Sequence, residues 1–212
     1  IMKYKESIID SRLRRWFSND HSKKLLRSIL LKKGKIRSLG SFRVDIDYPI
    51  TAIAGKNGSG KSTILALACC AFHNSSKGYK LLNRKQTYYT FADFFIQHSE
   101  EVSPEGIEIY YGIAHDKWKK TNNLPDGVGI GYQIRKKNRG GKWNDYSQRV
   151  YRDVVFIGIE RIVPHNEKSQ SKNYSRWFSH DQDRGWESKV KDAVGKVLGR
   201  NYEAFKYATH SK

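Results

Sequence analysis

Nine consecutive residues, Gly55-Lys56-Asn57-Gly58-Ser59-Gly60-Lys61-Ser62-Thr63, constrain this chain more than any others. They fit the pattern G-x-x-x-x-G-K-[ST] of a phosphate-binding loop. They also stand in the context that the pattern requires. Ile50-Thr51-Ala52-Ile53-Ala54, apolar and β-branched, reads as a buried strand leading in, and Ile64-Leu65-Ala66-Leu67-Ala68-Cys69-Cys70-Ala71-Phe72 reads as a buried helix leading out. Glycines let the loop turn tightly so that successive backbone N–H groups surround an anion, and the positive end of the helix dipole points at the same place. A nucleoside triphosphate site with bound Mg²⁺ is the expectation. Lys61 would reach the β- and γ-phosphates and Ser62 would ligate Mg²⁺, while Thr63 would bond an α-phosphate oxygen and Asn57 would lie near the γ-phosphate.

Charge is the second constraint. Forty Lys and Arg against 21 Asp and Glu give a net charge of +19 in 212 residues, and such a balance points to a polyanionic partner, nucleic acid first. Residues 1–43 hold thirteen basic side chains against three acidic, among them Arg12, Arg14, Arg15, Lys23, Lys24, Arg27, Lys32, Lys33, Lys35 and Arg37; residues 114–153 hold ten against four. Trp16, Trp118 and Trp143 stand near these patches for packing or stacking, and an acidic protein subunit is the competing partner. At 38% hydrophobic residues the chain can bury a core, and no apolar run approaches a membrane span or a signal-peptide core, so a cytoplasmic protein without a membrane partner is expected. The two cysteines, Cys69 and Cys70, are neighbours on the expected helix and read as core residues. His180-Asp181-x-Asp183 reads as a polar loop in preference to a metal site.

Along the chain, Ile8, Ile9, Leu13, Trp16 and Phe17 recur at helical spacing, and Leu25, Leu26, Ile29 and Leu30 form a second such stripe. Residues 1–34 are accordingly expected as a basic helical extension. Short strands follow at 35–39 and 42–48. Beyond the glycine loop, Asn74-Ser75-Ser76-Lys77-Gly78 reads as a surface turn, and the aromatic run Tyr88 to Phe95 as packing under a sheet or as a stacking platform. Runs at 107–113, 128–134, 143–148 and 153–158, separated by polar turns with glycine, read as an antiparallel meander. Past Pro164 the composition turns polar. Trp186, Val190, Ala193, Val194, Val197 and Leu198 then make a helical stripe that Gly199 stops, an arm expected to dock on the first lobe or on the remainder of the protein.

The order Ile36-Arg37-Ser38-Leu39-Gly40-Ser41-Phe42, then Pro49 to Gly55, then N-G-S-G-K-S-T-I-L resembles the opening of the ABC-type ATPase heads of the SMC, RecF, RecN and OLD group. The resemblance implies an α/β P-loop NTPase fold, the ABC-type first lobe with an antiparallel β-meander and flanking helices, over residues 35–164. Residues 165–212 would form a polar linker and helical arm leading to a C-terminal half. The ligands implied are ATP and Mg²⁺, held by Gly55, Lys56, Asn57, Gly58, Ser59, Gly60, Lys61, Ser62 and Thr63, with Ser62 on the metal. Arg37, Ser38, Ser41 and Phe42 would lie beside adenine and ribose, although Phe42 serves equally well as core. No Asn/Thr-Lys-x-Asp element for guanine is present.

Val154-Val155-Phe156-Ile157-Gly158-Ile159-Glu160 invites comparison with a Walker B strand, but the residue before Glu160 is Ile159, where an aspartate is needed, and no L-S-G-G-type signature precedes it. Ile157 to Pro164 is closer to the strand and R-x-x-P element of OLD-like and defence-associated ATPases. Glu160 and Arg161 are candidates for sensing the γ-phosphate or for a structural ion pair, and Gln97 is a second candidate for the Q-loop position. Signature, Walker B, D-loop and switch histidine are not found before Lys212, and the sequence opens Ile1-Met2, so part of a longer protein is expected. Taken together, the resemblance implies a DNA-associated or antiphage-defence ATPase whose heads pair as a homodimer or higher oligomer, with a nuclease or toxin as effector partner. A non-hydrolysing, ATP-gated scaffold subunit is the alternative.

Overall fold

A computed structural model describes residues 6–37, 39–75, 86–95, 106–137, 143–144, 149–158, 178–180, 187–199, 201 and 208–210. The chain divides into two compact units, Ile1–Phe156 and Ile157–Lys212.

The first unit is built on an antiparallel sheet. Strands β1 (Leu25–Lys33), β2 (Phe42–Asp45), β3 (Ile107–His115), β4 (Gly129–Lys137) and β5 (Trp143–Asn144) lie in the order β2-β1-β3-β4-β5. Helices α1 (Ile8–Asn19), α2 (Lys61–Cys69) and α3 (Phe91–Phe94) accompany it. One face of the sheet makes the core. Ile29 and Leu31 of β1 and Ile107, Ile109, Tyr111 and Ile113 of β3 are buried there with Leu67, Ala71 and Phe72 from α2 and its exit. Burying each large apolar side chain among these contributes roughly 1.5–3 kcal/mol of transfer free energy. The aromatic run packs into the same core: Tyr89 and Phe91 are buried, and Phe91 stacks on Trp143 at 4.0 Å between ring centroids. Cys70 is buried, and burial pushes the Cys69 thiol up to about 11, as expected of core cysteines rather than reactive ones.

Four local expectations are corrected. The stripe at Leu25, Leu26, Ile29 and Leu30 is strand β1, between β2 and β3, with Ile29 in the core and Leu26 packed against it, so it belongs to the lobe's sheet rather than to a helical extension. A register shift between Leu26 and Ser28 leaves Arg27 without a partner on β3. The extra residue breaks the two-residue period and imitates a helical spacing. Where a strand is expected at 35–39, Ile36 and Leu39 instead exchange backbone hydrogen bonds of 2.9 and 3.0 Å, as in a tight turn, with Arg37 at φ +52°. Ile50 to Ala54 makes no ladder among the described residues and is not buried, Ile50 being 81% exposed. Its β-branched residues favour extension, but a strand also needs a neighbour. Residues 153–158 likewise make no ladder among the described residues, following a single parallel bridge between His73 and Tyr151.

Helix α1 forms as expected, Ser7 accepting from the Asp10 amide at its N-cap. Only Phe17 of its apolar stripe is buried. In the second unit, β6 (Phe178–His180) pairs antiparallel with β7 (Ala208–His210), and α4 (Glu187–Leu198) lies between them in sequence. Val190, Val194 and Val197 of α4 are exposed, and Gly199 ends the helix at φ +65°. Trp186, Asp181 and Asp183 lie outside the described residues, as do 76–78 of the expected surface turn and 145–148 of the expected third meander strand.

Candidate functional site

The glycine loop takes the shape its composition allows. Gly58 and Gly60 sit at φ +78° and +93°, in the left-handed region that L side chains rarely adopt. Gly60 is the N-cap of α2, which begins at Lys61, and no side chain caps that helix end. The first-turn amides and the dipole of α2 therefore face the loop with no acidic residue in the first turn and no capping side chain, which is the arrangement that suits a phosphate. A Cβ on Gly60 would stand 2.5 Å from Leu39 Cδ2, so the turn at 36–39 is packed directly behind the loop. Behind Gly55, a Cβ would stand 2.8 Å from Ser59 Oγ.

Lys61 closes the loop on itself. Its Nζ donates to the carbonyls of Gly55 at 2.8 Å and Lys56 at 2.7 Å, and the Ser59 amide donates to Lys56 O at 3.2 Å. The ammonium thus stands at the mouth of the loop, held among the described residues by neutral acceptors that a phosphate can replace. Asn57, Gly58, Ser59 and Ser62 are exposed, while Thr63 is buried and faces the protein. The exposed hydroxyl of Ser62 in the first turn fits a Mg²⁺ ligand. Among the described residues no cluster of three or more His, Cys, Asp or Glu is placed to hold a metal ion. Mg²⁺ here would ride on Ser62 and on the phosphates themselves.

The residues expected beside adenine are placed differently from the loop. Arg37 Nη2 donates to Phe94 O at 2.9 Å and its guanidinium lies 4.9 Å from the Phe95 ring centroid, so it braces α3. Ser41 Oγ donates to Lys32 O at 3.4 Å, and Phe42 is half-buried against the core. Ser38, Gln97, Glu160 and Arg161 lie outside the described residues.

Two supports of the site were not visible in the sequence. Tyr111 donates its hydroxyl to Leu67 O at 2.9 Å, taking up a carbonyl near the C-terminus of α2. Gln133, fully buried, donates to Ala71 O and accepts from the Val150 amide at 2.8 Å. These bonds tie the exit of α2 to β3, to β4 and to the segment at 149–152, which positions the helix whose other end carries the loop. The same segment is held by reciprocal backbone bonds, His73 N to Val150 O at 3.0 Å and Arg152 N to His73 O at 2.9 Å, and by Arg152 Nη1 donating to Lys23 O and Lys24 O. Burial, reinforced by the nearby Arg135 and Arg149, depresses the His73 pKa to about 4, so this ring is neutral in the fold. A polar residue at alternate positions of β4 reads as solvent-facing, and nothing in the sequence marks Gln133 as an exception.

With the geometry in place, comparison with known proteins is informative at the level of family. The family model described as AAA domain matches residues 32–209, most of the chain, and supports a P-loop ATPase-like, nucleotide-binding domain. No curated protein and no solved structure matches the chain.

Proposed function

Because the chain belongs to the AAA-domain family, we propose that its glycine loop binds Mg-ATP within the first lobe of an ABC-type ATPase head. One observation carries this: the Lys61 ammonium is parked on two loop carbonyls at the uncapped N-terminus of α2. On binding, Lys61 exchanges Gly55 O and Lys56 O for β- and γ-phosphate oxygens, the amides of residues 58–63 converge on the β-phosphate, and Ser62 holds the metal. The bound metal would supply charge neutralisation across the β- and γ-phosphoryl groups. Titration with a fluorescent ATP analogue and Mg²⁺ tests the assignment. Lys61→Ala should bind at least about tenfold more weakly, since a hydrogen bond to a charged group contributes about 1.5–3 kcal/mol. Unchanged affinity in a folded variant would remove Lys61, and with it the site, from the account.

In this reading hydrolysis comes from paired heads, as a homodimer or higher oligomer, each loop being completed from the other head. The unladdered segment Ile50–Ala54 supports an assembly in which further strands or a partner cover it. The +19 charge supports a nucleic-acid-associated role, and the resemblance to defence-associated ATPases supports a nuclease or toxin as effector. A steep dependence of ATP turnover on protein concentration is the expected signature of pairing. Binding of ATP with no turnover at any concentration would favour the scaffold subunit.

A further inference from the structure

Strand β4 is folded with its apolar alternation turned outward. Gly131, Gln133, Arg135 and Lys137 are on the core face and buried, whereas Ile130 and Tyr132 are each 46% exposed on the other face. Large apolar side chains on the open face of a sheet whose polar residues point inward are informative in a way that a scattered surface leucine is not. The register shows what surrounds them. Tyr132 pairs with Gly112, Gly112 with Ser28, and Ser28 with Asp45, so two small residues lie beside the Tyr132 ring across β3 and β1. The next row is Ile134, Tyr110, Leu30 and Arg43. Tyr110 and Tyr132 meet edge to face with centroids 6.1 Å apart.

Cations border this shelf. Lys32 places its Nζ 4.9 Å from the Tyr110 ring centroid. Arg43 is held mainly by its hydrogen bond and ion pair with Asp45, and Tyr132 also interacts with its guanidinium from across the sheet. Lys33 pairs with Glu108 at 3.3 Å, and Glu108 is opposite Lys136. Four basic residues against two acidic ones leave the rim positive on a chain of +19.

We propose that this outer face of the sheet is a binding platform for single-stranded nucleic acid, with bases stacked on Tyr132 and Tyr110 and the phosphate backbone tracked by Lys32, Arg43 and Lys136. Sequence-tolerant single-strand binding requires aromatic faces for the bases beside cations for the phosphates. A duplex hides its base faces and cannot use the tyrosines, so the platform discriminates by strandedness. It deepens the nucleic-acid part of the function proposed above and is separate from the glycine loop.

Anisotropy of a fluorescein-labelled oligothymidylate of about 15 nucleotides, in parallel with a duplex of equal length, tests it at low salt. Tyr132→Ala should weaken oligothymidylate binding roughly five- to a hundredfold, the effect of removing one stacked base contact, and should leave duplex binding within about twofold. Tyr132→Phe keeps the ring and should retain near-native affinity, which guards against a folding artefact. Lys32→Glu should lower affinity for both nucleic acids. If Tyr132→Ala binds the single strand normally while charge reversal at Arg14, Arg15, Lys23 and Lys24 abolishes binding, this platform is overturned but nucleic-acid association stands. Absence of binding to either oligonucleotide at low salt overturns both and leaves the apolar face to a protein partner or a second copy.

Discussion

Gly60→Ala is the sharpest probe of how the glycine loop is built, because the structure separates its cost into two parts. The first is conformational. At φ +93° and ψ 7° a residue with a Cβ is strained in the left-handed region by roughly 1–2 kcal/mol. The second is steric. The new methyl would stand 2.5, 2.8 and 2.9 Å from Cδ2, Cγ and Cδ1 of Leu39, and relieving such overpacking typically costs about 1–3 kcal/mol. A total loss of about 2–5 kcal/mol is expected in denaturant unfolding, with ATP affinity falling as the loop or the 36–39 turn gives way. Leu39→Ala removes the steric part and leaves the conformational part. The double variant should therefore be more stable than the sum of the single losses by at least about 1 kcal/mol, a coupling that additive distant sites do not show. Destabilisation by Gly60→Ala of less than about 0.5 kcal/mol, or strict additivity with Leu39→Ala, would mean that the loop does not adopt this shape against that turn.

Three further outcomes follow from other parts of the lobe. Gln133→Leu strands the Ala71 carbonyl and the Val150 amide in the core, at about 1–3 kcal/mol for each unsatisfied group, so unfolding should be easier by about 2–6 kcal/mol; a neutral effect would show that Gln133 does not bridge α2 to 149–152. His73, neutral in the fold with a pKa near 4 against 6.5 when unfolded, contributes stability that is complete above about pH 6.5 and is lost as pH falls toward 4, about 2–3 kcal/mol in all. His73→Gln should flatten that part of the stability–pH curve measured by urea unfolding, and an unaltered curve would place the titration elsewhere. Ser62→Ala should bind ATP without Mg²⁺ about as well as the native protein while losing most of the gain that Mg²⁺ brings, and equal loss with and without the metal would take Ser62 off the metal.

The site was more legible in the sequence than the sheet that carries it, and the reason is range. A phosphate loop is local: two glycines at positive φ, an uncapped helix and a lysine folded over the loop all lie within seven residues, so the motif contains its own geometry. Sheet periodicity carries no such guarantee. In β1 one bulge at Arg27 was enough to turn a two-residue alternation into a helical one, and no local feature announces a bulge. In β4 the alternation marks a strand, yet its pattern does not say which face the rest of the chain will cover; the core took Gln133, whose amide was needed between Ala71 and Val150, and left Tyr132 outside. Ile50 to Ala54 extends the same logic. Its residues have the composition of a buried strand but, among the described residues, no neighbour in the sheet, just as Ile130 and Tyr132 on the outer face of β4 remain 46% exposed. Burial signals in a sequence are set by everything a chain packs against, including partners. Where strong signals meet solvent, as at Ile50 to Ala54 and on the Tyr110–Tyr132 shelf, the mismatch is what the proposed head pairing and the proposed nucleic-acid platform would account for.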